Sequence, residues 1–298
     1  MSAIPLHRRA RRRRIVLGRA LAATRQAFLG NKTALLGLVL TLAIVMAAIG
    51  APWLSWIDPI DQDIMSRLKP PSAAHLLGTD QFGRDIFARL LHGARITLLI
   101  ALSANLIAMA IGSLIGLIAG YYGGRLDIVL MQFMDALLAL PSLILGLLLV
   151  AVLGPNAANI SAAIALTLVP AYARVARTPT IAIKEREFVA SGRALGYSDL
   201  RLMFRHILPN IVPEILVVAS LWMASAVRVE ASLAFIGLGV RPPAATWGGM
   251  IRDGFENILD GPYLVIFPGF AILVLVLALN LLGDGLRDAI DPRLREER

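Results

Sequence analysis

The stretch Ala34–Ile57 runs for 24 residues without a charged side chain, and Ile96–Tyr122 is a second uncharged run. An α-helix rises about 1.5 Å per residue, so roughly 20 apolar residues cross a hydrocarbon core. A third run, Ile128–Ala173, carries only Asp135 and is too long for one crossing. The break "GPNAAN" (Gly154–Asn159) divides it, because proline and glycine end helices and asparagine suits turns. Further spans are expected at Ile211–Phe235, with Glu214, Arg228 and Glu230 embedded or near its ends, and at Tyr263–Leu282. The expectation is an all-α polytopic membrane protein with six transmembrane helices. The first run exceeds the roughly 7–15 apolar residues of a signal-peptide core, which favours a retained anchor.

Composition agrees. Of the 298 residues, 57% are hydrophobic and 16% charged, whereas a soluble domain carries about a quarter charged residues. Cysteine is absent, which removes disulfides, thiolate metal sites and a cysteine nucleophile. Nine of the 29 basic residues fall between Arg8 and Lys32 with no acid among them. A basic flank beside an apolar run holds that end in the cytoplasm and attracts anionic lipid. Nucleic-acid binding by "RRARRRR" is disfavoured, since no stacking aromatics accompany it. With six crossings both termini share a side. Placing them in the cytoplasm also puts Arg174–Asn210 inside, and seven basic against three acidic residues lie between Arg174 and Arg205. The segment Asp58–Arg95 is balanced, five against five. The chain thus divides into a basic cytoplasmic segment (1–33), a first span (34–57), an extracytoplasmic linker (58–95), a five-helix core (96–285) with a cytoplasmic loop at 178–210, and a cytoplasmic tail (286–298).

That loop contains "EREFVASGRALGYSDLRLMFRHILPN" (Glu185–Asn210), an island of charge in an apolar chain. Its periodicity is helical over Ile183–Leu195, with Phe188, Ala194 and Leu195 on one side. Gly196 suits the left-handed conformation of a helix C-terminus. Ser198 is an N-cap and Asp199 sits in the first turn of a second short helix. Leu200, Met203, Phe204 and Ile207 form its stripe, and Pro209 is expected to end the unit. Periodicity alone leaves two readings open: an amphipathic loop lying on head groups, or a docking surface.

Chemistry of the chain's own is hard to find. No G-x-x-x-x-G-K-[ST] occurs, so there is no P-loop. His7, His75, His92 and His206 are scattered rather than spaced as metal ligands, and "GYSDL" lacks the second glycine of a nucleophile elbow. Charge within hydrocarbon is costly, which singles out Asp135, Arg228, Glu230 and Asn280. They either line a polar passage or satisfy interhelical bonds and snorkel. Arg228 and Glu230, two apart, do not face one another on a helix.

Taken together, these motifs resemble the permeases of ATP-binding-cassette importers, and within them the second (C-type) permease of dipeptide, oligopeptide and nickel importers. The island is similar to the EAA loop of that family. "HLLGTDQFGRDIFARLLHGARI" (His75–Ile96), "GLIAGYYGGRLD" (Gly116–Asp127), "ASLAFIGLGVRPPAATWGGMI" (Ala231–Ile251) and "FPGFAILVLVLALNLLGDGLRDAIDPRLR" (Phe267–Arg295) carry the rest of the likeness. The resemblance implies a type I importer fold in which the loop forms a coupling helix seated on an ATP-binding subunit. Carried over by position, Glu187, Ala190, Ser191, Gly192 and Gly196 occupy the motif and Leu208 and Pro209 close it. The sequence departs from the family where its glutamate falls on Ala190 and its two alanines on Ser191 and Gly192. The implied assembly comprises a homologous second permease (a heterodimer), one or two ATP-binding subunits with ATP and magnesium, and an extracytoplasmic substrate-binding protein, all at the bacterial plasma (inner) membrane. This chain itself is then a non-catalytic subunit that binds no cofactor.

The segment Gly239–Asp260 mixes prolines, glycines and charges and is not a clean span; it is expected to form either an outer lip touched by the binding protein, with Trp247 as a crosslinking position, or a re-entrant or interfacial packing element. Peptides are the favoured solute, with nickel, glutathione or opine-like compounds as alternatives. A rival class is an ATP-independent secondary transporter using Asp135 or Glu230, although no internal repeat is visible. A membrane scaffold that moves nothing is a third.

Overall fold

A computed structural model describes residues 30–290; the basic stretch Arg8–Arg25 and the end of the 286–298 tail lie outside them. Helix α1 (Lys32–Ile49) starts where the Asn31 side chain accepts the N–H groups of Thr33 and Ala34, two donors a helix start leaves orphaned. Helices α2 (Ile86–Tyr122), α3 (Gly124–Leu138), α4 (Ser142–Leu153) and α5 (Ala157–Lys184) follow. Two short helices, α6 (Glu187–Ala194) and α7 (Asp199–Leu202), lead into α8 (Leu208–Leu233), α9 (Trp247–Phe255) and α10 (Tyr263–Ile290).

Helix α5 is the centre of the bundle, and Ile160, Ala163, Ile164, Ala165, Leu168 and Val169 are all buried along it. Its longest partner is α2. Gly112, Gly116 and Gly120 of α2 form a one-turn ladder against Tyr172, Ala173 and Thr180 of α5, so close that a Cβ on any of them would collide with α5. Small residues of this kind let backbones approach in a membrane, where no hydrophobic force drives helices together. Asn105 ties in a third helix. It accepts the Tyr172 hydroxyl at 2.7 Å and donates to the Ala219 carbonyl of α8 at 2.9 Å. The Tyr172 ring meets Trp222 edge-on, centroids 4.4 Å apart.

Among the described residues, five helices are long and apolar enough to cross a membrane singly, and α3 with α4 makes a sixth crossing only as a pair bent by 88°. The expected third span is therefore not straight. Pro141 is the cause: it lacks an N–H and pushes the residue before it out of helical geometry, and hydropathy does not register it. Two boundaries move as well. The second crossing begins at Ile86 rather than Ile96, because the Asp85 carboxylate caps the helix through the Ala88 N–H at 2.8 Å. The 58–95 segment is thereby shortened by ten residues. Pro209 does not end the docking unit: it lies in the first turn of α8, and the helix runs on from Asp199 to Leu238. A π turn over Met203–Ile207 widens the backbone just where proline removes a donor, which lets the helix pass through.

At the end of the bundle away from α6 and α7, residues 55–85 fold over the helix tips. Asp80 accepts the N–H groups of Phe82 and Arg84 and the Arg84 Nε at 2.6 Å, with the Arg89 Nε at 3.4 Å. Asp253 of α9 closes the cluster, 3.8 Å from Arg84 and 4.0 Å from Arg89. Burial holds the Asp253 carboxyl above its ordinary value, against the pull of Arg89 and Arg84. The Tyr263 hydroxyl donates to the Lys69 carbonyl at 3.0 Å, pinning the segment to α10. Tyr263→Phe removes that bond, worth about 1 kcal/mol. In detergent, trypsin is expected to cleave after Arg67 about fivefold faster in the variant. Equal rates would show that the bond does not hold the segment.

Candidate docking unit and the polar groups of the bundle

The turn between α6 and α7 is built by backbone chemistry. Gly196 has φ +75°, its N–H reaches the Arg193 carbonyl at 2.9 Å, and the Tyr197 N–H reaches the Gly192 carbonyl at 3.0 Å. Those paired bonds satisfy the carbonyls that a helix end leaves free. The Ser198 hydroxyl then accepts the Arg201 N–H, starting α7. Expectations for Gly196 and Ser198 are met on both counts.

Two faces result. Val189, Gly192, Leu202, Met203 and Ile207 turn inward. A Cβ at Gly192 would stand 2.8 Å from the Leu202 side chain, so its small size serves packing of α6 on α7 and is not presented outward. Outward stand Phe188, Leu195, Leu200 and Phe204, with Leu195 72% exposed. Glu187, Ala190 and Ser191 are also exposed, Leu208 is half-buried and Pro209 is exposed in the first turn of α8. Exposed apolar side chains set among charges are what a partner would cover, and Phe204 also lines an apolar groove with Leu114 and Leu117 of α2 and Leu208 of α8.

The unit is anchored to the bundle at the end of α2. The Tyr121 hydroxyl donates to Asp199 at 2.6 Å, Arg193 lies over the Tyr121 ring at 5.4 Å, and Arg201 lies over Tyr197 at 4.0 Å. Beside this anchor the Arg177 guanidinium of α5 forks onto both oxygens of Asp127 of α3, at 2.5 Å each. Neither Tyr121 nor the Asp127–Arg177 pair stood out in the sequence, since partners fifty or more positions apart leave no local pattern. The glycine ladder did leave one, G-x-x-x-G-x-x-x-G.

The structure separates the remaining polar residues. Asp135 binds Arg174 of α5 at 2.6 Å, with both side chains 55% exposed. The exposed Arg228 donates to Ser225, at 2.8 Å. Glu230 is 1% exposed under the start of α9. The hydroxyls of Thr97 and Thr246 flank it, but neither carboxyl oxygen has a well-aligned hydrogen bond. Asn280 is half-buried on α10. These four are not brought together. Trp247 is buried and donates to the Leu90 carbonyl at 2.8 Å, so it is not a lip contact; Leu259 of the same segment is 95% exposed.

A family model described as the binding-protein-dependent transport system inner membrane component matches residues 112–296. The chain belongs to this family. The N-terminal transmembrane domain of oligopeptide transport permease C matches residues 21–71. The dipeptide transport system permease protein DppC of Alkalihalophilus pseudofirmus is 42% identical over 265 residues, covering 89% of this chain and 87% of its own length. The di/tripeptide transport system permease protein DppC of Pseudomonas aeruginosa is 45% identical over 276 residues, 91% of each. The glutathione transport system permease protein GsiD of Pectobacterium atrosepticum is 41% identical, covering 87% and 86%. Among solved structures, a chain of the MetNI methionine ABC transporter in an inward-facing conformation superposes with TM-score 0.55 at 16% identity, over 68% of this chain and 97% of that one. The fold is that of a type I permease, and the chain is a multi-pass inner-membrane permease subunit of an ATP-binding-cassette importer.

Tyr121→Phe tests the anchor. Losing a hydrogen bond to a carboxylate costs about 1.5 kcal/mol or more. Faster amide exchange is expected across α6 and α7 and not in α5; unchanged exchange there would show that the anchor lies elsewhere.

Proposed function

We propose that this chain is the C-type permease of a di- or oligopeptide importer, forming half of the solute passage with a homologous second permease. The residues Glu187–Ile207 dock on an ATP-binding subunit, of which the assembly has one or two, and there ATP and magnesium are bound and hydrolysed. An extracytoplasmic binding protein delivers the solute at the opposite end. The single observation that carries this reading is the exposed apolar quartet Phe188, Leu195, Leu200 and Phe204, on a unit whose geometry is fixed from within. The basic residues clustered around it support a cytoplasmic location for this end and for both termini. The names of the dipeptide permease relatives support peptides.

ATP bound elsewhere supplies the affinity difference that a two-state bundle needs. Closure of the ATP-binding subunits moves α6 and α7, and Asp199–Leu238 carries that motion into the membrane as a single helix. Because the chain has no cysteine, Leu195→Cys gives one reactive position for crosslinking. A crosslink to the ATP-binding subunit in the assembled complex, with ATP-dependent dialanine uptake into proteoliposomes, is the expected result. Reaction only with lipid, or uptake without ATP, would overturn the reading. Competition by glutathione measures how far the passage extends to that related peptide.

A further inference from the structure

Two Asp–Arg pairs join α3 to α5, and they differ in kind. Asp127–Arg177 is closed: both oxygens are engaged, with the side chains 13% and 34% exposed. It is enough to staple the helices. Asp135–Arg174 is open: a single contact, Nη2 to Oδ1 at 2.6 Å, leaves the other carboxylate oxygen and the rest of the guanidinium without a bond to described residues.

Depth makes that exposure informative. Ala173 of α5 packs on Gly116 of α2, and α2 runs on uncharged for six further residues, about 9 Å, to Tyr122. Arg174, expected from sequence to open the cytoplasmic loop, therefore stands level with an apolar stretch of α2. An open ion pair at that depth against lipid is costly and calls for water. Neighbouring positions agree. Thr178, one turn beyond Arg174, and Gln132, one turn before Asp135, are also exposed, so a polar strip runs along this side of both helices.

We propose that Asp135 and Arg174 form a two-charge subsite for a zwitterionic solute, lining the water-filled part of the passage nearest the docking unit. The inference rests on the proposed peptide-permease reading. A peptide carries one carboxylate and one ammonium. The guanidinium fork donates paired bonds to the first, the carboxylate takes the second, and the protein's own pair reforms when the solute leaves. No charge is left uncompensated at any stage, which keeps the site weak enough to release its solute.

The test uses the assembled importer in proteoliposomes. Thr178→Cys places one thiol on this chain beside the pair without altering it. A membrane-impermeant, charged methanethiosulfonate is expected to label it, and dialanine delivered by the binding protein to slow labelling. Labelling only by a lipid-soluble maleimide would overturn the proposal. Asp135→Asn and Arg174→Gln are each expected to lower dialanine uptake about tenfold or more, as loss of a charge-assisted bond does, while ATP hydrolysis persists. Unchanged uptake, joint loss of uptake and hydrolysis, or full rescue by the exchanged pair Asp135→Arg with Arg174→Asp would each show a mere staple and overturn it. Failure of the wild-type complex to move dialanine would instead refute the peptide reading, leaving the labelling result to judge the water-lined site.

Discussion

Gly116→Leu is expected to abolish recovery of folded protein. The glycine sits at the tightest approach of α2 to α5, where even a Cβ would overlap the Ala173 carbonyl and crowd Ala176 at 2.9 Å. The obstacle is backbone, which cannot rotate aside as a flexible side chain would. Overpacking a core costs about 1–3 kcal/mol when neighbours can shift. Here the helices must separate, giving up the Asn105–Tyr172 bond and the burial of α5 along with the clash. A loss well above about 3 kcal/mol is a large part of the roughly 5–15 kcal/mol that holds a typical domain together. Gly116→Ala should sit between, with partial recovery. The check is the monodisperse fraction on size exclusion after solubilisation. Wild-type recovery of the leucine variant would mean that α2 and α5 do not meet as described.

Gly196→Val is expected to leave the protein folded and inserted but to uncouple uptake from ATP hydrolysis. No atom lies within 4 Å of a Cβ at this position, so space is not the problem; φ +75° is. A side-chain-bearing residue in the left-handed region pays about 1–2 kcal/mol, and a β-branched one more. Relaxing that strain breaks the carbonyl bonds at Arg193 and Gly192 and re-aims α7 relative to α6, splitting the apolar quartet. Asparagine tolerates the conformation, so Gly196→Asn should remain close to wild type. In proteoliposomes of the complete complex, dialanine taken up per ATP hydrolysed should fall about tenfold or more for valine, the equivalent of about 1.4 kcal/mol. A valine variant with normal coupling would show that the geometry of this turn does not transmit the stroke.

The comparison of sequence with structure separates what local patterns carry from what they do not. Apolar runs, the caps at Gly196 and Ser198, and the charged island were all legible because each is written within a few residues. The helix start at Ile86 and the passage through Pro209 differ from expectation for opposite reasons. A helix start was hidden by the charges of Arg84 and Arg89, which hydropathy counts as loop although Asp80 compensates them. A helix end was inferred from a proline that a π turn accommodates. The bend at Ala139–Pro141 passed unseen inside an apolar run. Glu230 was placed near a membrane boundary, and its actual burial depends on α9 folding back over α8, which no pattern around position 230 announces. Arg174 meets Asp135 from 39 positions away. The polar groups were therefore found, but their partners were not.

The helix that starts at Asp199 runs through the π turn at Met203–Ile207 to Ile236, about 57 Å of strut. It begins in the turn that Tyr121 steadies and stops where Gly237, at φ +99°, breaks it beneath the Arg252 side chain. A rod of that length has no slack for its tips to move separately. Whatever grips the far tip must alter how freely the near one swings, and linkage requires the influence to run equally in both directions. Whatever is bound at one tip thereby weights how tightly the other tip is held, with no messenger but stiffness.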